Sequence, residues 1–392
     1  MPEDRSYDVV LFGATGFTGG LTAEYLARNA PAECRWALAG RNQSKLSTLR
    51  DRLAGINPAC AGLPLLHADA GDPESLRAVA ADARVVATTV GPYLEYGEPL
   101  VAACAEAGTD YLDLTGEPMF VNLMYLRHHA TARERGARLI HCCGMDSIPY
   151  DLGVLFTVQH LPEGVPLTVE GFVRAGGTFS GGTYQSAIGI MSQMREAGRV
   201  AKERRAAEPR PAGRKVGSVK RGLHFEPAVK RWALPLPTID PQVVRHSAAA
   251  LDRYGPEFRY GHYAALRLPA ALGLAGGAGA LLAATQVPPL LSLLRARGRQ
   301  SGEGPSAEQR AKSWFSVRFV GSGGGSRVVT KVSGGDPGYD ETAKMLAESA
   351  LCLAFDPGLP ETSGQVTTAV AMGDALIGRL QKAGIAFAVQ EP

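Results

Sequence analysis

The sequence predicts an α/β protein with an N-terminal, doubly wound parallel sheet and a second, α+β domain. Three observations lead to this fold class. A glycine-rich turn follows an apolar run near the N-terminus, short apolar runs alternate with helical patterns to about residue 160, and longer alternating strands then replace that rhythm. A chain of 392 residues also exceeds one ordinary hydrophobic core, so two domains are expected.

The opening turn contains three glycines spaced three residues apart, in the segment G-A-T-G-F-T-G at residues 13–19. Gly13 permits a tight turn after the strand, Gly16 lets the backbone approach a pyrophosphate, and Gly19 lets the helix pack closely on the sheet. The N-terminus of that helix offers free N–H groups to phosphates. The context predicts a Rossmann-type dinucleotide site that also includes Thr15, Phe17 and Thr18.

The next elements complete the predicted sheet, and residues 1–160 are expected to form one Rossmann domain. Strands are predicted over residues 9–12, 35–40, 63–68, 85–90, 111–114 and 138–143, with helices between them over 43–53, from 73, 99–108 and 119–136. Asp72 is a good N-cap for the helix that begins at Pro73. Ligands of such sheets bind beyond the C-terminal ends of the strands.

The pattern changes beyond residue 160. Residues 167–174 alternate as an antiparallel strand does, a glycine-rich loop follows at 176–183, and strands resume at 314–320 and 327–332. Residues 161–345 are therefore expected to form an α+β substrate and dimerisation domain, which would make the protein a homodimer. Residues 346–392 are expected to be helices that pack back on the first domain.

An uncharged stretch at residues 268–294 has several interpretations. It is long enough to span a membrane, but four glycines and three prolines argue against a continuous helix. A buried core segment is a second interpretation. The favoured interpretation is a helix pair that lies at a membrane interface or lines a substrate channel. Such a pair would make a peripheral membrane contact or provide a surface for a long acyl chain. The basic segment 199–231 is either a solvated face or loose insertion, or a basic rim that receives an acidic carrier domain or a phosphopantetheine-bearing substrate.

Composition excludes several functional classes. The 41 Lys and Arg residues balance 38 Asp and Glu residues to a net charge of +3, which is too even to suggest nucleic acid as a partner. The six cysteines and eight histidines show no metal-ligand spacing, so no metal site is expected. Scattered thiols and an N-terminus without an apolar signal core predict a cytoplasmic protein, with membrane association through 268–294 as an addition.

Side chains after the strands indicate which dinucleotide binds. Arg41 and Lys45 follow the second strand, where an NAD enzyme usually places a carboxylate for the ribose hydroxyl. Cations there favour the 2′-phosphate of NADP, although Arg41 is alternatively a solvated helix-entry residue. Asp69 is expected near the adenine. Thr89, Gly91 and Pro92 are expected near the nicotinamide ribose.

Several further segments resemble the saccharopine dehydrogenase-like oxidoreductases, especially their trans-acting enoyl reductases. The matching segments are G-A-T-G-F-T-G (13–19), A-G-R (39–41), V-G-P-Y (90–93), T-G-E (115–117), C-G-M-D-S-I-P-Y-D (143–151), G-G-T (181–183), G-P-S-A-E-Q-R (304–310) and G-D-P-G-Y-D-E-T-A (335–343). Residues 367–370 read T-T-A-V, where the family pattern leads us to expect a Thr-Pro-Ala-like segment. That departure makes the subgroup, not the family, less firmly defined.

The resemblance implies NADPH-dependent reduction of a C=C bond in an acyl or polyketide thioester, supplied by a polyketide synthase that lacks its own reductase. The thioester would arrive free or bound to a carrier protein. The family name points instead to C–N oxidoreduction of an amino acid, which remains an alternative. A non-catalytic NADPH-binding protein at a lipid surface is a second alternative.

Enoyl reduction needs groups that orient two carbons, stabilise an oxyanion and deliver a proton. The candidates are Asp146 and Ser147 after the sixth strand, Tyr93 after the fourth, and Tyr339 as a proton donor from the second domain. Each candidate also has a structural alternative to a catalytic role. Asp146 and Ser147 would cap the helix that follows them, and Tyr339 would anchor the turn in which it lies. His141 is interpreted as a core residue, and Glu117 as a carboxylate that orders its loop.

Overall fold

The computed structural model describes residues 5–176, 194–209, 211–285 and 304–390. Contacts between Cα atoms divide the chain into two compact units. The first contains the described residues up to Asp146, then Gly304 and Gly338–Leu380. The second contains the described residues of Ser147–Ser301, Pro305–Pro337 and Gln381–Pro392. The first unit therefore draws its residues from both halves of the sequence.

The first unit is built on a parallel sheet of seven strands. Numbered along the whole chain, they are β1 (Tyr7–Phe12), β2 (Trp36–Gly40), β3 (Leu65–His67), β4 (Ala83–Thr88), β5 (Asp110–Leu112), β6 (Arg138–Ile140) and β14 (Gly364–Val366). Their order is β14-β6-β5-β4-β1-β2-β3, so the winding direction reverses between β1 and β4. This confirms the predicted doubly wound sheet, and β14 is an edge strand that the sequence pattern did not predict.

Helices cover this sheet, and one sequence cap is confirmed. They are α1 (Phe17–Asn29), α2 (Gln43–Ala54), α3 (Pro73–Asp82), α4 (Tyr93–Tyr96), α5 (Glu98–Ala107), α6 (Pro118–Arg135), α12 (Asp340–Phe355), α13 (Thr368–Ala371) and α14 (Gly373–Lys382). Asp72 caps α3 by accepting a hydrogen bond from Glu74 N at 3.1 Å, as predicted. Helix α1 begins at Phe17, inside the glycine motif.

Helix α12 corrects the expected position of Tyr339. The helix packs on α1, β1, β4 and β5 through buried apolar side chains that include Met345, Leu346 and Leu351. Tyr339, immediately before the helix, therefore belongs to the first unit and does not reach in from the second domain.

A buried ion pair ties β5 to β6 at the N-terminal edge of the sheet. The Asp110 carboxylate accepts hydrogen bonds from Arg138 N and Nε at 2.8 and 3.0 Å. Nearby, the buried Arg5 guanidinium donates to the carbonyl oxygens of Ala80 and Ala107 at 2.8 and 2.5 Å. Charges removed from water need such partners, since an unpaired buried ion costs several kcal/mol, of the order of 3–5.

The second unit is built on a mixed sheet whose main path has seven strands. The strands are β7 (Leu167–Gly176), β8 (Lys215–Ser218), β9 (His224–Glu226), β10 (Arg231–Pro235), β11 (Glu257–Leu266), β12 (Trp314–Gly323), β13 (Ser326–Gly334) and β15 (Ala386–Gln390). The main path is β15-β13-β12-β7-β11-β10-β9, and β8 pairs with β11. Strand β15 corrects the expectation that the chain ends in helices on the first domain, because it pairs antiparallel with β13.

The second unit contains five described helices. They are α7 (Ile148–Val158), α8 (Met194–Ala207), α9 (Asp240–Ala250), α10 (Leu268–Thr285) and α11 (Ala307–Ala311). Helix α7 packs on β7, β12 and β13. A Cβ atom at Gly153 would lie 2.4 Å from the Phe319 ring, so glycine is what allows α7 to come this close.

Helix α10 contains the described part of the uncharged stretch. It is a continuous helix, and Leu272 and Leu274 are 55% and 47% exposed, so the interpretation as a buried core segment is wrong for these residues. Within the described residues, no helix combines the length and the apolar character needed to cross a membrane. Residues 286–294, like the glycine-rich positions 177–183, lie outside the described residues.

Candidate cofactor and active site

The glycine turn after β1 leaves no room for side chains. Gly13 has a φ of +84°, and its N–H donates to Ala39 O at 3.0 Å. A Cβ at Gly19 would lie 2.2 Å from Gly13 O, and one at Gly16 would lie 3.3 Å from the same atom. Close packing of α1 on the turn thus requires glycine at position 19, and the turn itself requires glycine at position 13.

The start of α1 is open to an anion. Thr15 and Gly16 are exposed, and Gly16 occupies the N-cap position without a side chain that could satisfy the first N–H groups. Thr18 lies in the first turn, where its carbonyl accepts a hydrogen bond from Thr22 Oγ1 at 2.9 Å. Thr89, just after β4, donates to Gly13 O at 3.1 Å and holds the turn from the opposite side.

Phe17 has a packing role at the same turn. Its ring meets the Tyr339 ring edge-on, with centroids 4.8 Å apart. A Cβ at Gly304 would lie 2.2 Å from Phe17 Cε1, so the backbone at Gly304 comes close to the other side of this contact. Residues from three distant parts of the sequence therefore fix the first helical residue of the glycine motif.

Two cations stand at the end of β2. Arg41 and Lys45 are exposed, and within the described ranges neither side chain contacts an acidic group. Asn42 lies between them and caps α2 by accepting a hydrogen bond from Lys45 N at 2.9 Å. The cap holds the first turn of α2, so both cations project from a defined backbone and remain available for an anionic ligand.

Asp69 organises the turn after β3. Its Oδ1 accepts a hydrogen bond from Gly71 N at 3.0 Å, and its own N–H donates to Ser75 Oγ at 3.1 Å. Its side chain is half-buried. These contacts give Asp69 a local structural role at the strand end where we predict the adenine to bind.

Tyr93 lies beneath the exposed residues Gly91 and Pro92. Its buried hydroxyl donates to Thr88 O at 3.2 Å and accepts from Leu114 N at 3.1 Å, which joins the ends of β4 and β5. Burial raises the pKa of Tyr93 well above its ordinary value. A hydroxyl engaged in this way is poorly suited to donate a proton to substrate, and the geometry favours a positioning role.

Glu117 supports the same corner. Its two carboxylate oxygens accept hydrogen bonds from Tyr93 N and Leu94 N, both at 3.0 Å. It therefore binds backbone amides, as expected, but those amides belong to the start of α4 after the fourth strand. Burial raises the pKa of this carboxyl, while the two N–H donors oppose that rise.

Asp113 is the residue that sequence reasoning missed. Its Oδ1 accepts from Thr115 N and Cys142 N at 3.0 and 2.9 Å, and its Oδ2 contacts Tyr111 Oη and His141 Nδ1 at 3.0 and 2.6 Å. The carboxylate thereby joins the ends of β5 and β6. A usable signal was present, because Asp113 and His141 follow two strands whose parallel pairing brings their ends together.

The segment after β6 carries Asp146. Cys142 has a φ of 64°, a strained value for a side chain other than glycine, and its N–H is held by Asp113. Met145 N donates to Thr342 Oγ1 at 3.2 Å, which attaches the segment to α12. Asp146 faces Gly116, where an added Cβ would lie 3.4 Å from Oδ2.

Asp146 is exposed as a residue, yet protein atoms surround its carboxyl closely enough to remove part of its hydration. This desolvation raises its pKa to about 6. The group therefore changes its charge near neutral pH, which is the range in which an acid or base of an enzyme works.

Ser147 lies on the other side of the division between the units. It is at the N-cap position of α7, but its hydroxyl is buried and makes no hydrogen bond with the described residues. The capping role considered for its side chain is therefore not observed.

The residues after β1, β2 and β4 fit a phosphorylated dinucleotide. They provide a cradle that side chains would fill, open N–H groups at a helix start, and the two cations after β2. Among the described residues, no group of three or more His, Cys, Asp or Glu side chains is arranged to hold a metal ion.

Comparison with known proteins agrees with this geometry. A family model described as the saccharopine dehydrogenase NADP binding domain matches residues 9–140, which identifies the dinucleotide as NADP. A Mycobacterium tuberculosis protein provisionally named a trans-acting enoyl reductase is 38% identical over 98% of this chain and 97% of its own length. A trans-acting enoyl reductase of Mycobacterium ulcerans is 36% identical, with 97% of each chain covered.

One solved structure shares the whole fold. Saccharopine dehydrogenase (L-Glu forming) from Saccharomyces cerevisiae has a TM-score of 0.56 and 12% sequence identity, covering 98% of this chain and 99% of that one. The likeness confirms the combination of a parallel first sheet and a second mixed sheet.

Replacing Gly19 with Ala should weaken NADPH binding at least tenfold, because the new Cβ meets Gly13 O at 2.2 Å and must displace the turn. Fluorescence titration of NADPH measures the effect. Gly378→Ala is the matched control, since that helical glycine has open space around it. Equal affinities in the two variants would contradict the role of the close contact.

Replacing Arg41 with Asp should lower NADPH affinity about 10- to 100-fold and leave NADH affinity nearly unchanged, because only NADPH carries the 2′-phosphate. Titrations of both cofactors against the two proteins measure the discrimination. Arg77→Asp, at an exposed position on α3, controls for the change in net charge. A similar loss of affinity for both cofactors would exclude Arg41 as the phosphate ligand.

Proposed function

This chain belongs to the trans-acting enoyl reductases of the saccharopine dehydrogenase-like family, and on that premise we propose that it reduces a C=C bond in an acyl or polyketide thioester with NADPH. The observation that carries the proposal is that the likeness extends over nearly the whole chain. Both the NADP-binding unit and the unit outside it are shared with trans-acting enoyl reductases.

The reaction needs one hydride and one proton. When bound, NADPH supplies the hydride that adds to the β-carbon of the enoyl thioester. The electrons of the C=C bond then move onto the thioester oxygen as an enolate, and a proton added to the α-carbon completes the saturated product. The chain must therefore hold the thioester in position, shield the reacting carbons and supply that proton.

We assign proton delivery to Asp146. Asp146 is an exposed residue, and desolvation raises the pKa of its carboxyl to about 6. Its segment is fixed to the sheet by Asp113 and to α12 by Thr342. When the pKa of a carboxylic acid lies near the working pH, a useful fraction of the molecules carries the proton that is donated. After donation, the carboxylate takes up a new proton from solvent. The other candidates, Tyr93, Ser147 and Tyr339, are buried, and we assign them to positioning.

The source of the thioester is a finer part of the proposal. The relatives are named trans-acting, which describes action on a substrate that another protein supplies. We infer that this chain likewise receives a thioester bound to a carrier protein. The exposed leucines of α10 would give an acyl chain or a lipid surface an apolar contact during that exchange.

The purified protein should oxidise NADPH when it is given an enoyl thioester, and the saturated thioester should accumulate in equal amount. Absorbance at the reduced nicotinamide band and mass spectrometry of the thioester measure the two sides of this balance. Thioesters of several chain lengths should be tested, with a saturated thioester as the matched control. No oxidation with any of them would contradict the proposal, and oxidation with an imine substrate would favour the C–N alternative.

Replacing Asp146 with Asn should lower kcat about 10²- to 10⁴-fold, because the proton donor is removed. In the unchanged protein kcat should fall as pH rises through about 6, since the raised pKa means that the protonated donor is lost above that value. The variant should lack this decline. Asp82→Asn, at an exposed position on α3, is the control, and an unaltered pH profile in the Asp146 variant would exclude the carboxyl as donor.

A further inference from the structure

A groove on the outer face of the second sheet gathers cations without acids. It encloses about 480 Å³ opposite the face that α7 covers, and its lining includes Arg174, Arg318 and Lys331. No carboxylate belongs to the lining. Glu170 is on the same face of β7, but Arg221 pairs with it at 3.6 Å. The three cations of the groove are therefore left without an acidic partner among the described residues.

The strand register forces two of these cations together. Arg318 on β12 is directly opposite Lys331 on β13, and Arg174 on β7 is diagonal to Arg318. Directly opposite residues have Cβ atoms about 5 Å apart, and like charges at this distance destabilise a sheet. Lys331 makes no hydrogen bond or ion pair with the described residues, so this repulsion is not relieved within the part of the chain that the structure describes.

Hydroxyl groups lie beside the cations. Ser316 and Ser333 are opposite each other on β12 and β13 and both line the groove. A hydroxyl donates a hydrogen bond to an oxyanion at little cost. The polar part of the groove therefore combines charge with neutral donors, as sites for phosphate groups do.

An aromatic wall is fixed next to this polar part. Trp314 is 40% exposed, and Arg174 Cζ lies 5.5 Å from the centre of its ring. A Cβ at Gly176 would lie 2.4 Å from Trp314 Nε1, so the glycine opposite Trp314 is what lets the indole rest on the sheet. The indole of Trp314 would suit a ligand in which the phosphate is attached to a less polar group.

The charge of the whole unit favours the same ligand class. Its described residues include 22 Lys and Arg against 12 Asp and Glu, although the full chain is nearly balanced. An excess of this size attracts anions over distances of about 8–10 Å at ordinary ionic strength. From these observations we propose that the groove lined by Arg174, Arg318 and Lys331 is a binding site for a phosphate ester, separate from the NADP site.

The test uses the full chain saturated with NADP, so that the cofactor's own phosphate sites are occupied. Inorganic phosphate, pantetheine 4′-phosphate and dihexanoyl phosphatidylglycerol are titrated by calorimetry and by the fluorescence of Trp314. We expect at least one of them to bind, and the one that binds most tightly identifies a free phosphate, a soluble ester or a lipid as the source. No binding by any of the three overturns the proposal.

The double variant Arg318→Gln and Lys331→Gln should weaken that binding at least tenfold. Lys312→Gln with Lys382→Gln is the matched control, because it removes two exposed cations of the same unit that do not line the groove. Equal affinity in the two double variants overturns the proposal. Without ligand, the groove variant should unfold at the same or a higher temperature than the unchanged protein, since it loses a like-charge contact, and this excludes misfolding as the cause of lost binding.

Discussion

One carboxylate, that of Asp113, determines where the candidate active site can be. It accepts hydrogen bonds at the ends of two neighbouring strands and holds Cys142 in a left-handed conformation that a side chain avoids by itself. The direction of the chain from Cys142 to Asp146 depends on this restraint. Tyr93 makes an equivalent connection between β4 and β5, so a row of buried polar contacts aligns three successive strand ends. The accessible groups rest on this row.

Local patterns predicted the elements well, and tertiary pairing decided the rest. Alternation of apolar runs and helices predicted six of the seven strands of the first sheet, and Asp72 was recognisable as a cap from its neighbours alone. Strand β14 was not predictable, because three residues with no periodicity are placed only by pairing with β6. The position of Tyr339 was not predictable either, because the helix that follows it is placed by contacts with α1 and β4.

The candidate cofactor residues could be chosen from the sequence for a related reason. A glycine motif, a capped helix and a cation after a strand are local signals. Their chemistry can be interpreted without knowing the order of the strands in the sheet. Asp113 needed that order, since its partners follow a different strand. The described residues of the first unit include 22 Asp and Glu against 15 Lys and Arg, so the net charge of this unit has the same sign as the cofactor. We therefore expect the open helix start, Arg41 and Lys45 to supply the attraction locally, and this attraction should weaken with salt.

The contact of Phe17 with Tyr339 and Gly304 has a consequence for synthesis of the protein. The glycine motif is made among the first residues, but the two residues that hold its first helical turn emerge from the ribosome some three hundred residues later. The edge strand β14 appears later still. The dinucleotide cradle thus reaches its final shape only near the end of translation, after the residues of the second sheet up to β13 have been made. A truncated chain would have an N-terminal domain in which Tyr339 and Gly304 do not hold the glycine turn. Its affinity for NADP would therefore be lower than that of the full-length polypeptide.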